Sequence, residues 1–300
     1  MSPTPRALLI VAIAALAAAG PASAHTRAPA VALDVSLRVT EAPAGVHARV
    51  LDGDRALRLR VDPPGRVVVE GYLHEPMLRF GPDGVWVNRA SPTAATEKLT
   101  AEGSGWRRLR SEPELTWHDH RLAPPRGLAS RAAWTLPLST GELRGVFVRA
   151  KRPSPWPWLA GALVAFAAVG AAAHWAPRCR RDEASGLAAA AALAALAASA
   201  AFATGDAIAR VGQWVDVAAA AVLALVALWA LSLGSWAVRG WVTTLVGAVA
   251  AAISLGSLSV FWHGFVISSL PASLARLATE AAVVCGLSAA VLAVAIGEKR

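Results

Sequence analysis

Two hydrophobic patterns divide the chain near residue 153. Before this point, apolar and polar residues alternate. Every second residue across residues 31–39 is Val or Leu, and residues 57–61 place Leu, Leu and Val around two arginines. Period-two alternation is typical of a β-strand with one buried face. The first half of the chain is therefore predicted to be rich in β-strands.

Turn signals separate these strands, with Asp-Pro-Pro-Gly at residues 62–65 and Gly-Pro-Asp-Gly at residues 81–84. Residues 91–113 are polar and irregular, and we expect a long loop there. Further strands are predicted at 115–120, 133–138 and 143–149. Short strands separated by frequent turns favour an all-β sandwich, with the immunoglobulin-like arrangement as one candidate.

The second pattern is a series of long apolar runs after residue 153. Each is about 19–23 residues long, enough for a helix to cross a bilayer. The runs lie at about 156–176, 186–204, 212–233, 241–260 and 274–296. They predict a five-helix α-helical transmembrane bundle after the β-sandwich, so the fold class is mixed and two-part.

The N-terminus has the pattern of a secretory signal. Arg6 precedes an apolar run at residues 7–19, and Ala22-Ser23-Ala24 has the small-x-small form of a cleavage site. We expect residues 1–24 to be a cleaved signal peptide, with an uncleaved anchor as the alternative. The domains are then an extracytoplasmic β-sandwich at 25–152 and a membrane domain at 153–300.

Positive charge predicts the orientation. If the β domain is exported, the loop at residues 177–183 is cytoplasmic, and its three arginines agree with the positive-inside rule. The basic tail at residues 298–300 falls on the same side. We therefore expect a multi-pass protein of the plasma membrane whose N-terminal domain is outside and whose C-terminus is cytoplasmic. The lipid bilayer is its first predicted partner.

Charge supports this division and excludes a single soluble globule. Residues 25–155 carry 34 charged side chains (20 Lys/Arg and 14 Asp/Glu), whereas the longer stretch 156–300 carries 14. The net charge of the chain is +9, but it lacks the basic runs and interleaved aromatics expected of a nucleic-acid partner. Both cysteines, Cys179 and Cys285, follow residue 153, so the β domain has no disulfide.

The most compact group of candidate ligands is Trp117-His118-Asp119-His120-Arg121. On a strand, His118 and His120 share a face about 6.5–7 Å apart, and two imidazoles at this spacing suit a divalent ion, copper most strongly. The alternative is a surface strand end whose histidines form hydrogen bonds and whose Asp119 pairs with an arginine.

His25 strengthens the copper hypothesis, because a mature chain that starts there offers an α-amine and an imidazole on one residue. An α-amine of pKa about 7.7–8.0 deprotonates readily enough to bind a metal. This arrangement resembles the histidine brace of exported copper proteins, including periplasmic copper-resistance carriers and lytic polysaccharide monooxygenases. In the alternative interpretation, His25 belongs to a disordered start.

The run Glu75-Pro76-Met77-Leu78-Arg79-Phe80-Gly81-Pro82-Asp83-Gly84-Val85, together with the Trp117 to Arg121 motif, resembles a family of uncharacterised bacterial exported membrane proteins, mostly actinobacterial. The resemblance spans most of the chain and implies a β ectodomain with a small helical membrane part. It implies no established activity. The family pattern has a further histidine after His-Asp-His-Arg, where this chain has Leu122-Ala123-Pro124, and that loss weakens a metal site built on this strand.

Three other polar residues are weaker candidates. Glu75 would serve as an additional metal ligand, or would pair with Arg79 or Arg121 and organise the fold, the role we favour. Asp216 and His263 lie in the membrane half, where ionisable groups are costly and often functional.

No catalytic motif occurs: there is no Gly-x-Ser-x-Gly, no His-Glu-x-x-His and no phosphate-binding loop. The sequence therefore does not favour an enzyme. The leading hypothesis is binding of copper or a related divalent ion outside the cytoplasm. The alternatives are a non-catalytic module that binds an envelope protein or polymer, and a small permease.

Overall fold

The structure is a computed structural model that describes residues 31–53, 56–175, 180–206 and 211–297. The chain divides into two compact units. The β unit is Leu33–Lys151, and the helical unit contains the described residues from Arg152 onward together with Val31 and Ala32. The signal segment at residues 1–24 lies outside the described residues.

The described strands of the β unit form two antiparallel sheets. The larger sheet has seven strands in the order β2-β11-β10-β5-β6-β7-β8, and the smaller has the order β3-β4-β9. The strands of the two sheets are β2 (Val35–Glu41), β3 (Val46–Leu51), β4 (Ala56–Val61), β5 (Val67–Glu70), β6 (Pro76–Gly81), β7 (Gly84–Asn88), β8 (Trp106–Arg110), β9 (Glu114–Trp117), β10 (Arg131–Leu138) and β11 (Gly141–Arg149). A short strand β1 (Ala32–Leu33) precedes them and belongs to neither sheet.

One hydrophobic core joins the two sheets, which makes the unit a β-sandwich. Leu57 and Leu59 of β4 have no exposed surface, whereas Arg58 and Arg60 between and after them are exposed. The larger sheet supplies residues such as Leu78 and Phe80 to the same core. The predicted sandwich is confirmed, and its apolar alternation marks the buried face.

The prediction of one long loop at residues 91–113 is wrong, because the segment contains helix α1 (Pro92–Thr96) and strand β8. Ser91 starts the helix as its N-cap, accepting a hydrogen bond from Ala94 N, and Pro92 fits the first turn. Strand β8 reads Trp-Arg-Arg-Leu-Arg and lies at the edge of its sheet, so it lacks a clear apolar alternation.

The described helical unit has five long helices, as predicted. They are α2 (Trp156–Trp175), α3 (Arg180–Gly205), α4 (Val211–Leu231), α5 (Trp236–Leu255) and α6 (Ala272–Gly297). By length and composition, four of them (α3 to α6) can cross a membrane, and the apolar stretch of α2 at Trp156–Ala172 is shorter. The chain is thus compatible with a multi-pass membrane protein that carries a β domain.

Two helices begin earlier than their apolar runs suggest. Helix α3 starts six residues before position 186, and its first turn carries acidic residues, which the positive end of the helix dipole favours. Helix α5 starts five residues before position 241, because Arg239 finds partners on α3 instead of ending the helix. Its guanidinium donates to Ser185 Oγ at 2.8 Å and pairs with Asp182 at 2.8 Å.

Helix α5 ends at Leu255, before the predicted residue 260. A 3₁₀ helix at Leu258–Phe261 and strand β12 (Phe265–Val266) follow it. Strand β12 pairs with β1, and Ile267 N donates to Val31 O at 2.8 Å. The described residues before Leu33 are therefore fixed to the helical unit.

Helices α5 and α6 approach each other closely at two glycines. A Cβ atom added to Gly247 would lie 2.5 Å from Gly286 O, and one added to Gly286 would lie 2.5 Å from Gly247 O. No side chain larger than hydrogen fits at either position without movement of the backbone. The contact lies among small residues, which allow close helix packing in membranes.

Candidate functional site

The Trp117 to Arg121 segment begins where β9 leaves the smaller sheet. Trp117 pairs with Leu57, is 3% exposed, and its ring lies 6.3 Å from the ring of Phe80. The strand ends at Trp117 and does not extend to His120 as predicted. It ends because Asp119 caps a 3₁₀ helix at His120–Leu122, accepting a hydrogen bond from Arg121 N at 2.9 Å.

His118 and His120 lie side by side on the surface of the β unit. Asp119 between them is extended (φ −131°, ψ 121°), and the two ring centroids are 5.2 Å apart at an interplanar angle of 71°. Both histidines are exposed. Two imidazoles thus lie next to each other at one place.

Asp119 and Arg121 form a buried ion pair beneath these histidines. Arg121 Nη2 donates to Asp119 Oδ2 at 2.7 Å, and Nε donates to Oδ1 at 2.9 Å. Burial raises the pKa of Asp119, but the hydrogen bonds and the charge of Arg121 outweigh it and lower that pKa below its ordinary value. Trp117 Nε1 also donates to Asp119 Oδ2 at 3.2 Å.

Arg121 ties this pair to the larger sheet. Its Nη1 donates to Glu70 O at 2.8 Å, and its carbonyl accepts a hydrogen bond of 2.9 Å from Trp134 Nε1. Its guanidinium also lies over the Tyr72 ring, 5.1 Å from the centroid. The pairing of Asp119 with an arginine is therefore present and anchors the motif to both sheets.

Glu97, which the sequence analysis missed, holds His120. Its carboxylate side chain has no exposed surface and accepts hydrogen bonds from His120 Nδ1 at 2.8 Å and from His120 N at 3.0 Å. Tyr72 donates its hydroxyl proton to the same carboxylate. Burial and this hydrogen bond raise the pKa of Tyr72 above its usual range.

Little in the sequence identifies this contact, because Glu97 is 23 positions before His120 in a segment that resembles a loop. The one available signal is that Tyr72 is the sole tyrosine of the chain. The geometry nevertheless gives His120 a defined chemistry. Its Nδ1 donates to Glu97, which leaves Nε2 as the nitrogen with a lone pair, on a side chain that is 60% exposed.

Glu75 is occupied by hydrogen bonds from its own surroundings. Ser91 Oγ and Thr93 N donate to Oε1 at 2.7 and 3.2 Å, and Leu73 N donates to Oε2 at 3.0 Å. Partial burial opposes ionisation, but the hydrogen bonds from Ser91 and Thr93 outweigh it and lower the pKa of Glu75 to about 2. These groups, rather than Arg79 or Arg121, are its partners, and it organises the turn before β6.

The remaining predicted residues lie elsewhere. His25 is outside the described residues. His263 Nδ1 donates to Ser259 O at 2.9 Å, and its carbonyl accepts from Arg276 Nη2 at 3.2 Å. The helical unit contains a cavity of about 210 Å³, whose described lining includes Asp216 and Gln213 but not His263.

Within the described residues there is no group of three or more His, Cys, Asp or Glu side chains arranged to hold a metal ion. Comparison of the chain with protein-family models, curated proteins and solved structures gives no match.

Proposed function

We propose that the β domain lies outside the cytoplasm and binds a divalent metal ion, copper foremost, through His118 and His120. The hydrogen bond between the buried Glu97 carboxylate and His120 Nδ1 carries the proposal. Histidines that bind metals usually donate their other ring N–H to a carboxylate or carbonyl group, which fixes the tautomer and makes the ligating nitrogen more basic. Glu97 provides this support to a largely exposed imidazole.

The spacing of the two rings supports a shared ion. With a metal–nitrogen bond of about 2.0–2.1 Å, the centroid of each ligating imidazole lies roughly 3.2 Å from the metal. Two such rings have centroids roughly 4.5 Å apart at the 90° angle of square-planar Cu²⁺ and roughly 5.2 Å apart at a tetrahedral angle, so a separation in this range suits one shared divalent ion. The rings of His118 and His120 are 5.2 Å apart.

Two histidines leave room for further ligands, and the sequence offers one. His25, as the first residue after a cleaved signal, supplies an imidazole and an α-amine. Imidazole and amine nitrogens favour Cu²⁺ over the other divalent ions of the first transition row. The signal pattern and the arginines of residues 177–183 support an outward position of the domain, where the bilayer-spanning helices anchor it.

Copper titration of the full chain in detergent tests the proposal. After the protein is stripped with a chelator, we expect one Cu²⁺ per chain with nitrogen ligands in the electron paramagnetic resonance spectrum. The double variant His118→Ala/His120→Ala should lose this ion. His47→Ala/His74→Ala is the matched control, because it removes two exposed histidines that pair with Asp62 and Glu70. Copper binding that persists in the first variant would contradict the proposal.

N-terminal sequencing of the mature protein tests the contribution of His25. A start at His25 supports a third ligand from the terminus, whereas any other start removes the histidine brace and leaves His118 and His120 as the ligands.

A further inference from the structure

Arg79 lies between two tryptophans on the outer surface of the larger sheet. Its guanidinium carbon is 5.3 Å from the ring centroid of Trp86 and 5.2 Å from that of Trp106. Cation–π contacts of this kind fix the plane of a guanidinium that would otherwise rotate freely. Arg79, Trp86, Trp106 and Arg108 are called here the Trp–Arg face.

The sheet register brings these four residues together. Arg79 of β6 is opposite Trp86 of β7, and Trp86 is opposite Arg108 of β8, so the three form one row across the sheet. Residues directly opposite each other point to the same side, and two strand spacings separate Arg79 from Arg108 by about 10 Å. The core-facing neighbours Phe80, Val85 and Val87 are fully buried, so this row is on the outer side.

One carboxylate accompanies the two arginines of this face: Asp83 accepts a hydrogen bond from Trp86 Nε1 at 2.9 Å. Among the described residues, neither Arg79 nor Arg108 forms an ion pair, and Arg79 Nε is buried without a hydrogen-bond partner. Arg108 is exposed and uses its Nε on a backbone carbonyl, Arg110 O, at 3.3 Å. On the smaller sheet, by contrast, Arg58 and Arg60 pair with Glu114 and Asp62.

An oriented guanidinium without an ion-pair partner is a receptor for a carboxylate or phosphate oxygen, since charge-assisted hydrogen bonds from arginine are strong and directional. The second cation about two strands away favours a ligand with repeated negative groups over a single anion. The tryptophan rings add flat apolar surface beside both charges, which suits the C–H faces of sugar rings. The β unit as a whole is basic, with 18 Lys or Arg and 14 Asp or Glu in Leu33–Lys151.

We propose that the Trp–Arg face binds an anionic polysaccharide, with Arg79 and Arg108 holding successive acidic groups of the polymer and the tryptophans packing against its sugar rings. This surface does not involve His118 or His120, so the inference stands independently of the proposed metal site.

Binding of the full chain, reconstituted in phosphatidylcholine nanodiscs without free detergent, to three immobilised probes tests it: polygalacturonate as the anionic polysaccharide, dextran as the neutral one, and phosphatidylglycerol vesicles as an anionic lipid surface. We expect binding to polygalacturonate that weakens as salt is added, because screening reduces the attraction between charges. The protein should not be retained on dextran, and it should be retained less on vesicles than on polygalacturonate.

The variants Arg79→Gln and Arg108→Gln should each raise the Kd for polygalacturonate about tenfold, the size expected for loss of one charge-assisted contact. Arg49→Gln, at an exposed position of strand β3 in the smaller sheet, removes the same charge and should leave the Kd unchanged. Arg108 is exposed, so its substitution should not disturb the fold, and the unfolding temperature checks this for every variant.

Three results would overturn the proposal. Equal weakening by Arg49→Gln would mean that net charge alone drives binding. Stronger retention of the protein on vesicles than on polygalacturonate would mean that the Trp–Arg face binds lipid. No retention on polygalacturonate would mean that the face does not bind an anionic polysaccharide.

Discussion

Glu97 and His120 form a contact between a fully buried carboxylate and a largely exposed imidazole. Both oxygens of Glu97 lie 2.8 Å from His120 Nδ1, and the backbone N–H of His120 donates to the same carboxylate at 3.0 Å. Glu97 is also the C-cap residue of α1. The end of a short helix therefore sets the orientation of a surface histidine.

Glu97→Gln should lower the affinity for copper 10- to 100-fold, the usual cost of losing a carboxylate behind a metal-binding histidine. Glutamine keeps the shape but accepts through one oxygen and carries no charge. The measurement is the Kd for Cu²⁺ of the full chain, with Glu102→Gln as the exposed control. An unchanged Kd in a folded Glu97→Gln protein would show that the contact between Glu97 and His120 does not contribute to copper binding.

Asp119→Asn should destabilise the β unit by about 3–5 kcal/mol, because it leaves the nearly buried Arg121 guanidinium without its charged partner. The side chains of Asp119 and Arg121 are 1% and 15% exposed. Asp62→Asn, which breaks exposed contacts with His47 and Arg60, should change stability little. Chemical denaturation followed by tryptophan fluorescence measures both. Similar losses of stability in the two variants would contradict the expectation that burial makes the Asp119–Arg121 pair contribute more than the exposed contacts of Asp62.

Acid should destabilise the protein in part through Glu75. Its pKa falls from 4.5 to about 2 on folding, so the native state holds the ionised form more strongly than the unfolded chain does. This contribution is fully present above about pH 4.5 and is lost as the pH falls towards 2.

Glu75→Gln should therefore lower the unfolding temperature at pH 6 and show a smaller further decrease between pH 4.5 and pH 2 than the wild type. Thermal unfolding across this pH range gives the comparison. Parallel pH profiles for the two proteins would argue against a depressed pKa at this residue.

Gly247→Ala and Gly286→Ala should each destabilise the helical unit by about 1–3 kcal/mol, the usual cost of adding volume at a tight contact. A methyl group at either position would lie 2.5 Å from a backbone oxygen of the other helix, so the two helices would have to move apart to accommodate it. Gly170→Ala is the matched control, because no atom lies within 4 Å of the added Cβ. Unfolding in a denaturing detergent measures the effect. An equally large loss of stability in Gly170→Ala would show that the close contact between Gly247 and Gly286 is not the cause of the loss.

The sequence predicts the sandwich and the helices because each has a periodic hydrophobic pattern. Leu57 and Leu59 alternate with exposed arginines, which is typical of a half-buried strand. The later apolar runs have the length that is typical of membrane-spanning helices. Strand β8 escapes prediction because three of its five residues are exposed arginines at the edge of the sheet. Helix α5 begins earlier than predicted because Arg239 is satisfied by residues of α3, about 54 positions earlier.

The candidate site is predictable only in part. Local spacing is enough to place His118 and His120 together, since they are two positions apart on extended chain. Glu97 reaches His120, and Tyr72 reaches Glu97, only through the fold, and the spacing of these residues along the chain does not predict either contact. The same is true of Gly247 and Gly286, because small residues are so common in the helices that no single pair stands out before the helices are packed.

Strand β8 has a final consequence for the behaviour of the protein in solution. An edge strand offers unpaired N–H and C=O groups to which a strand of another molecule can add, and charged side chains are a common defence against such growth. Three of the five residues of β8 are arginines. Two copies that met at this edge in antiparallel register would bring arginines against arginines, so the strand protects the sheet from self-association while it stays open to a partner of opposite charge.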